Sequence, residues 1–401
     1  MKKTIALMTL AATIATSGLH AQITPSQDVA GRNNQSNIIM TAASFLTIAP
    51  DSRAGGLGDA GVATTPDTYS QHWNPAKYLF HESRSELGLC YTPWLRKYVD
   101  DMSISYLAGF TKIRRNQAVG YSMTYFNLGD MAFTDYNGTV VKNFSPKEFA
   151  FDVSYSLKLA DNLSGAVAMR YIYSNLTGGI SVGGSDETHA GHSVAGDVAV
   201  YYHKQLEVGE RTSTLGLGLN ISNIGTKMSY SSNNDNFIPT NLKLGASYKF
   251  DFDDFNSVMF TFDGNKLLVP TPPIYDNDKK VILKGKDPDV SVPTGIFQSF
   301  NDAPGGLEEE MKEISYSFGL EYLYSNTLAG RVGYFSEHKD KGGRKYVTVG
   351  VGLTLKAFTF DMAHLVTTTS SNPLQNTIKF SLAVNFDKLR NNNGRGKMPV
   401  E

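Results

Sequence analysis

Apolar and polar side chains alternate along most of this sequence with a period of two residues. In residues 148–159, for example, Phe151 and Val153 alternate with Asp152 and Ser154. Strict alternation of this length is typical of β-strands that bury one face. Runs of this kind predict fourteen strands, at 84–94, 101–112, 117–127, 148–159, 162–174, 193–203, 213–223, 240–250, 256–264, 314–324, 327–337, 345–355, 357–366 and 375–387.

The connections between these predicted strands fall into two length classes. Those after even-numbered strands are mostly short, at 113–116, 160–161, 204–212, 251–255, 325–326 and 356. Those after odd-numbered strands include four long ones, at 128–147, 175–192, 224–239 and 265–313. Short turns at one end and long loops at the other are typical of bacterial outer-membrane barrels, which have an even number of strands. The sequence therefore predicts an all-β fold, a 14-stranded antiparallel transmembrane β-barrel in the Gram-negative outer membrane, with extracellular loops and periplasmic turns and termini.

The longest predicted loop, 265–313, contains several prolines and a short acidic stretch at 305–313 that predicts a helix. So long a loop in a compact fold is usually functional. A cap over the barrel mouth and a contact surface for a partner both fit this loop. Aromatic side chains commonly anchor interfaces, and proline stiffens a loop. The candidate partner-contact residues of the long loops are Phe133, Tyr136, Tyr230, Phe237, Pro272, Tyr275 and Phe297.

The first residues have the composition of a secretory signal peptide. Lys2 and Lys3 precede an apolar core, and Ala21 provides a suitable cleavage site. The arm that follows, residues 22–50, is expected on the periplasmic side. The predicted organisation is a signal peptide (1–21), an N-terminal arm and hatch (22–83), the barrel (84–387) and a periplasmic C-terminal tail (388–401).

Small side chains are concentrated in residues 53–79, just before the first predicted strand. Glycine allows close backbone packing, and an Asn-Pro step initiates a turn. The G-x-G-x-x-G run at 56–61 does not predict a dinucleotide site, because the β-branched residues and the proline that follow it begin a helix poorly. The stretch instead predicts a compact hatch, or plug, in the barrel, formed by Arg53, Gly55, Gly56, Gly58, Asp59, Gly61, Trp73, Asn74 and Pro75.

Composition and charge favour neither catalysis nor cofactor binding. The net charge of −1 gives no reason to expect a nucleic-acid partner. The single cysteine, Cys90, is expected to be a packed side chain, and no Cys/His cluster indicates a metal site. A Gly-x-Ser-x-Gly run occurs at 179–183, but it lies in a predicted loop between two strands and not between a strand and a helix, which is the context of a nucleophile elbow. We therefore expect no catalytic residue, no metal, no cofactor and no enzymatic activity.

The charged residues within the predicted strands include six that fall in the polar phase of their strand or next to small residues there. An arginine on the lipid face near the middle of the bilayer would cost about 2–4 kcal/mol, so these residues are expected to face the lumen. Their two signs suggest that charge pairs join the barrel wall to the hatch. The residues are Asp152, Arg170, Asp197, Glu321, Arg331 and Asp361.

The run RAGGLGDAGVA at 53–63, followed by Pro66-Asp67 and by WNPA at 73–76, resembles the N-terminal hatch of the FadL-like outer-membrane channels. More narrowly, the sequence resembles the PorV (LptO) family of the type IX secretion system over nearly all of the chain that follows the signal peptide. The Asn-Pro-Ala box is shared across the FadL-like superfamily, so it supports the fold more than the function.

The resemblance implies a non-enzymatic shuttle or adaptor for protein secretion. Its partners would be the translocon pore (Sov/SprA), the C-terminal signal domains of cargo proteins, the sortase PorU, and the attachment-complex proteins PorQ and PorZ. Outer-membrane lipid and lipopolysaccharide would surround it. Two alternatives stay open, namely a FadL-type transporter of hydrophobic small molecules and a factor in lipopolysaccharide deacylation.

Overall fold

The structure is a computed structural model that describes residues 37–96, 99–134, 139–179, 188–231, 234–276, 281–367 and 374–392. The predicted signal peptide, residues 22–36 of the arm and residues 393–401 of the tail lie outside the described residues, and those predictions stay predictions. No helix in the described ranges is long and apolar enough to cross a membrane.

Fourteen antiparallel strands form a closed barrel in the order β1-β2-β3-β6-β7-β8-β9-β12-β13-β16-β17-β18-β19-β20, and β1 pairs with β20. The strands, in chain order, are β1 (Ser85–Pro93), β2 (Ser103–Arg114), β3 (Gln117–Asn127), β4 (Met131–Thr134), β5 (Val140–Phe144), β6 (Lys147–Ala160), β7 (Leu163–Asn175), β8 (Gly191–Val208), β9 (Arg211–Gly225), β10 (Met228–Ser231), β11 (Asn234–Asn236), β12 (Asn241–Asp251), β13 (Asn256–Leu267), β14 (Ile274–Tyr275), β15 (Ile282–Lys284), β16 (Ser315–Tyr324), β17 (Leu328–Ser336), β18 (Lys345–Leu355), β19 (Phe358–Thr367) and β20 (Ile378–Asn385). The helices are α1 (Ser52–Gly55), α2 (Ser70–Trp73), α3 (Val292–Gln298), α4 (Leu307–Lys312) and α5 (Phe386–Asn392). The predicted 14-stranded barrel is thereby confirmed.

The predicted strand bounds agree closely with the structure, and two of them coincide with β3 and β18. The last predicted strand is too long. β20 ends at Asn385, whose side-chain oxygen accepts a hydrogen bond from the backbone N–H of Lys388 (3.0 Å) and so starts helix α5. Sequence analysis also missed the hairpins β4–β5, β10–β11 and β14–β15, because strands of two to five residues contain too few alternations to be recognised.

Most barrel strands place apolar side chains outward and polar side chains inward. On β6, Phe151 and Val153 are exposed on the outer surface, whereas Asp152 is buried in the lumen. Strand β2 differs, because its inward face carries the buried rings of Tyr106 and Phe110. These rings contact Tyr69 and Tyr78 from the chain that precedes the barrel, so the lumen is apolar at this wall.

Because neighbouring strands are antiparallel, successive connections lie at opposite ends of the barrel. We call one the turn end, because its connections are short, at 115–116, 161–162, 209–210, 252–255, 325–327 and 356–357. We call the opposite end the long-loop end, since it carries the connections 128–146, 176–190, 226–240 and 268–314. The C-terminal helix α5 follows β20 at the turn end.

Residues 37–83, which we call the inner segment, pack inside the barrel. Helix α1 contacts β18, β19 and β20, and the 3-10 turn Pro75–Phe80 contacts β3, β6, β7 and β8 on other walls. Asp51 caps α1 by accepting a hydrogen bond from Ala54 N (2.8 Å), and the Asn74 side chain caps the 3-10 turn in the same way. The segment therefore reaches several strands on different sides of the lumen.

The described start of the arm does not lie where the sequence predicted. Asn37 donates to the carbonyl of Pro272 (3.2 Å), and Ala42 N donates to the carbonyl of Phe237 (2.9 Å). Both acceptors belong to long loops, so residues 37–48 lie at the long-loop end rather than on the side of the turns. The physical reason is the apolar run of the arm, since Phe45 packs in a buried cluster at that end of the barrel.

The 268–314 loop is folded. It contains the hairpin β14–β15 and the helices α3 and α4. Helix α4 lies within the predicted acidic helix at 305–313, which confirms that prediction.

Candidate functional site

The glycines of the inner segment lie where no side chain fits. Gly58 has φ +70°, and a Cβ atom on it would lie 2.5 Å from the backbone nitrogen of Tyr334. A Cβ on Gly61 would overlap the ring of Trp73, and one on Gly55 would lie 2.8 Å from the Lys379 side chain. Close backbone packing is the reason for the small residues, as the sequence predicted.

Glycines of the wall complete this packing, and sequence analysis missed them. Gly333 of β17 faces Gly58, and a Cβ on it would overlap the Gly58 nitrogen. A Cβ on Gly319 would lie 2.8 Å from the Cβ of Leu57, and Gly350 lies against Gly56. Their position in the inward phase of a strand was visible in the sequence, but their partners were not. The wall glycines whose added Cβ would meet the inner segment are Gly88, Gly120, Gly216, Gly218, Gly245, Gly319, Gly333 and Gly350.

Buried ion pairs join the inner segment to the wall. Arg53 Nη2 lies 2.8 Å from Glu321 Oε1, and Arg53 also pairs with Asp67 (3.0 Å) within the inner segment. Glu321 is shared with Arg331 of the neighbouring strand (2.6 Å), which in turn pairs with Asp361 (2.5 Å). The predicted pairing of wall and hatch residues by opposite charges is thereby found at Arg53.

A second ionic group lies on another wall of the lumen. Arg170 pairs with Asp152 and with Asp197 (3.1 Å), and it also contacts the side chain of Asn223. The six charged residues singled out from the sequence are thus buried and face the lumen, which confirms that prediction. A buried charge needs such partners because leaving it unpaired in a low-dielectric interior is costly.

Further hydrogen bonds fix the remaining predicted hatch residues. Asp263 Oδ2 accepts from Gly61 N (2.7 Å), and the Trp73 carbonyl accepts from Asn220 (2.8 Å). The other contacts are Asn74 Nδ2 to the Val200 carbonyl (2.9 Å), Ser156 Oγ to the Pro75 carbonyl (2.9 Å), and Asp59 with Tyr346 OH and Lys379. The structure therefore brings all nine predicted hatch residues together in the lumen. That they close the barrel to passage stays a prediction.

Two fully buried groups of the inner segment were not singled out from the sequence. Asp51 accepts from Trp73 Nε1 (2.7 Å), and burial, together with the nearby Asp67, raises the pKa of Asp51 to about 6. Lys77 donates to the Gly61 carbonyl (2.7 Å) and to Thr64 (3.0 Å), and burial lowers its pKa. Both groups connect successive turns of the inner segment to each other.

The 268–314 loop is anchored by an inward-facing acidic cluster. Glu310 and Glu313 pair with Lys266 (2.9 and 2.5 Å), and Glu309 and Glu313 pair with Lys341 (2.9 and 2.8 Å). Burial acts to raise the pKa of Glu309, but hydrogen bonds from Asn37 and Lys341 bring it down to about 2. The carboxylates of α4 and of Glu313, the residue after it, therefore hold the loop to the C-terminal end of β13 and to the 337–344 connection.

The predicted partner-contact residues divide into two groups. Tyr230 donates to Ser174 (2.8 Å), the Phe237 ring lies beneath Lys227 (4.6 Å), and the Pro272 carbonyl holds Asn37, so these three support the long-loop end. Tyr275 and Phe297 are exposed, and Phe133 is half-buried in β4. Tyr136 lies outside the described residues. A role in partner contact stays a prediction for all seven.

The fold and the site together define a class of protein, a closed 14-stranded antiparallel β-barrel with a chain segment packed in its lumen. Similar solved structures include the toluene transporter TodX of Pseudomonas putida (12% identity, TM-score 0.46, covering 87% of this chain and 98% of that chain). Others are the toluene transporter TbuX of Ralstonia pickettii (13%, 0.44, 84% and 97%) and a FadL homologue of Pseudomonas aeruginosa (12%, 0.41, 88% and 100%). No curated protein matches the sequence.

The family model described as "Type IX secretion system protein PorV" matches residues 31–274, more than half of the chain. The chain therefore belongs to the PorV family of type IX secretion. It is an outer-membrane β-barrel of that family.

We predict that Gly333→Ala loosens the inner segment, because the added methyl group would overlap Gly58. The expected loss is about 1–3 kcal/mol, the usual cost of overpacking. The matched control is Gly330→Ala on the same strand, where a Cβ meets nothing within 4 Å. The measurement is the temperature at which the barrel shifts in gel mobility, together with trypsin cleavage after Arg53. Equal behaviour of the two variants would contradict this account of the packing.

We also predict that Arg53→Met destabilises the folded barrel by about 3 kcal/mol, since it leaves buried carboxylates with fewer partners. The control is Lys158→Met, which removes a pair with the exposed Asp161 (3.5 Å) and should cost less than about 1 kcal/mol. Denaturant unfolding of the purified proteins in detergent measures both. A loss for Arg53→Met no larger than that of the control would show that the buried pair does not stabilise the inner segment.

Proposed function

We propose that this protein is a non-enzymatic adaptor of type IX secretion that captures cargo at the long-loop end of its barrel. In this proposal it receives the C-terminal signal domain of a cargo protein from the translocon pore (Sov/SprA). It then delivers that domain to the surface attachment complex, which contains the sortase PorU with PorQ and PorZ. The long loops face the cell exterior.

The observation that carries the proposal is that the 268–314 loop buries its carboxylates and exposes apolar side chains. Its carboxylates Glu309, Glu310 and Glu313 are buried against lysines, whereas Leu307 and Met311 are exposed, at 77% and 54%. These two apolar residues are four apart on α4 and share one helix face. Phe297 is also 77% exposed, just before the end of α3. Exposed apolar groups on an anchored support are typical of a protein interaction site.

The occupied lumen supports an adaptor rather than a conduit. Strands from several walls hold the inner segment through buried ion pairs, backbone hydrogen bonds and glycine contacts. A folded cargo domain could not pass through a barrel whose interior holds this segment. Cargo would therefore bind outside the barrel, and the loops are the parts that reach it.

The first test concerns orientation. A single cysteine introduced at Phe297 should react with a membrane-impermeant maleimide in intact cells, and one at Asn326 in a turn should react only after the cells are opened. The native Cys90 is buried and adds little background. Labelling of the turn position alone in intact cells would show that the orientation is opposite to the one proposed.

The second test replaces the exposed apolar residues without cutting the loop. We predict that the triple variant Phe297→Ser, Leu307→Ser, Met311→Ser leaves the barrel folded, because these side chains are exposed, yet lowers capture of a cargo signal domain at least about tenfold, the size expected of hot-spot residues. The control is Phe255→Ser, an aromatic residue that is 60% exposed at the turn end.

The assay is a pull-down with a purified cargo signal domain, performed beside fatty-acid uptake by the same strain. Normal capture by the triple variant would overturn the proposed surface. Normal capture together with lost uptake would favour a transporter of hydrophobic compounds instead.

A further inference from the structure

A cavity of about 420 Å³ lies in the lumen at the long-loop end. The inner segment lines it with Asp59, His72 and Trp73, and Met40, which is highly exposed, marks its mouth. Strands β12, β13, β16, β17 and β18 form its walls. Its volume lies within the range of small-ligand sites in proteins. The inner segment forms part of the wall of this cavity.

Lys243 of β12 lines this cavity and has no ion-pair partner at contact distance among the described residues. Only 6% of the surface of Lys243 is exposed. Its ammonium lies 5.1 Å from the centre of the Trp73 ring, and within the described part of the chain it forms no hydrogen bond or ion pair. Burying an ammonium without an anion is costly, and a cation–π contact compensates only part of that cost. The site therefore favours an anion.

The carboxylates that line the cavity are already paired with other cations. Asp59 contacts Lys379 (3.4 Å) and accepts from Tyr346 OH. Glu313 pairs with Lys266 and Lys341, and Glu337 pairs with Arg344 (2.9 Å). None of these three is therefore available to neutralise Lys243 without losing its own partner. Asp263 on the neighbouring strand attracts Lys243, but its Oδ2 already accepts from Gly61 N (2.7 Å) and Val62 N (2.9 Å), and it forms no ion pair with the lysine.

A second polar atom on the same wall also lacks a partner. Asn241 lines the cavity two residues before Lys243, on the same inward face of β12, and its side-chain oxygen is buried without a hydrogen-bond donor. An anion next to an N–H donor would satisfy both residues. A peptide C-terminus presents this combination, because its carboxylate follows a backbone N–H.

We propose that this cavity binds a carboxylate at the end of an extended, partly apolar chain, with Lys243 as the charged contact. A single ammonium matches one negative charge, whereas a dianionic phosphate would lie close to Asp59 and Glu313 with too few free cations. The apolar side chains of Ile38 and Phe335 also line the cavity.

The carboxylate has two possible sources, a free carboxylic acid and the C-terminus of a captured protein. We assign it to the C-terminus of the captured chain, because the cavity opens at the end that carries the exposed apolar loop. This assignment of the source, though not the site itself, rests on the proposed adaptor function.

The experiment uses the purified full barrel in detergent with Trp94→Phe, which leaves Trp73 as the only tryptophan of the two in the chain. Trp73 fluorescence is titrated with octanoate and with octanol, and then with a ten-residue peptide from the C-terminus of a cargo signal domain, carrying either a free or an amidated end. We expect the charged member of each pair to bind at least about tenfold more tightly, the size of one charge-assisted hydrogen bond.

Lys243→Met should abolish this preference for the carboxylate. The matched control, Lys249→Met, removes a lysine from the same face of the same strand, but one that pairs with Asp251 (3.1 Å) near the turn end, and it should keep the preference. Folding of each variant is checked by unboiled gel mobility. Because Lys243 is unpaired, its loss should also leave the ligand-free barrel at least as heat-stable as before.

The two pairs of ligands and the two lysine variants distinguish the possible outcomes. Preference for the free-ended peptide, lost in Lys243→Met, supports both the site and its source. Binding of octanoate without the peptide supports the site and overturns the assigned source, while cargo capture through the loop is tested independently by the pull-down. Equal binding of acid and alcohol, or an unchanged preference in Lys243→Met, would overturn the proposed site.

Discussion

The ion pair between Arg53 and Glu321 is the contact on which the arrangement of the lumen depends. Fourteen strands enclose more space than the side chains of the wall can fill, since barrels of about eight strands are already just wide enough for a packed interior. The inner segment fills that space and supplies a counter-charge. Glu321 lies between Arg53 and Arg331, and Arg331 continues to Asp361. Removing Arg53 would unbalance the wall itself, so wall and segment form one electrostatic unit.

Much of this fold could be predicted from the sequence, because the alternation of apolar and polar residues within a strand shows which side chains lie on each of its two faces. The bounds of β3 and β18 and the inward position of Arg170 follow from local alternation. What the sequence could not show is which residues meet across the lumen. A Cβ on Gly218 would overlap the carbonyl oxygen of Val62, yet the two are far apart in the chain. In the sequence, Gly218 is simply another small inward residue.

Two orientations that local sequence patterns do not predict have the same physical origin. The inward face of β2 is apolar because Tyr69 and Tyr78 pack against it, and this contact is not encoded within the strand. Helix α4 has the composition of a solvated helix, but Lys266 and Lys341 turn its carboxylates inward. In both places, the partner that decides which way a side chain faces comes from a distant part of the chain.

The two ends of the barrel differ in what they offer a partner. The turn end has short connections, whereas the long-loop end has an anchored loop with exposed apolar side chains and a cavity lined by Lys243, a lysine without an ion pair. If the inner segment stays in place during function, any ligand bound there must leave as it came. In the proposed function, capture and release of cargo would then both take place at a single end. Release would require a second partner that competes for the same loop surface, since a barrel that stays closed offers no other exit.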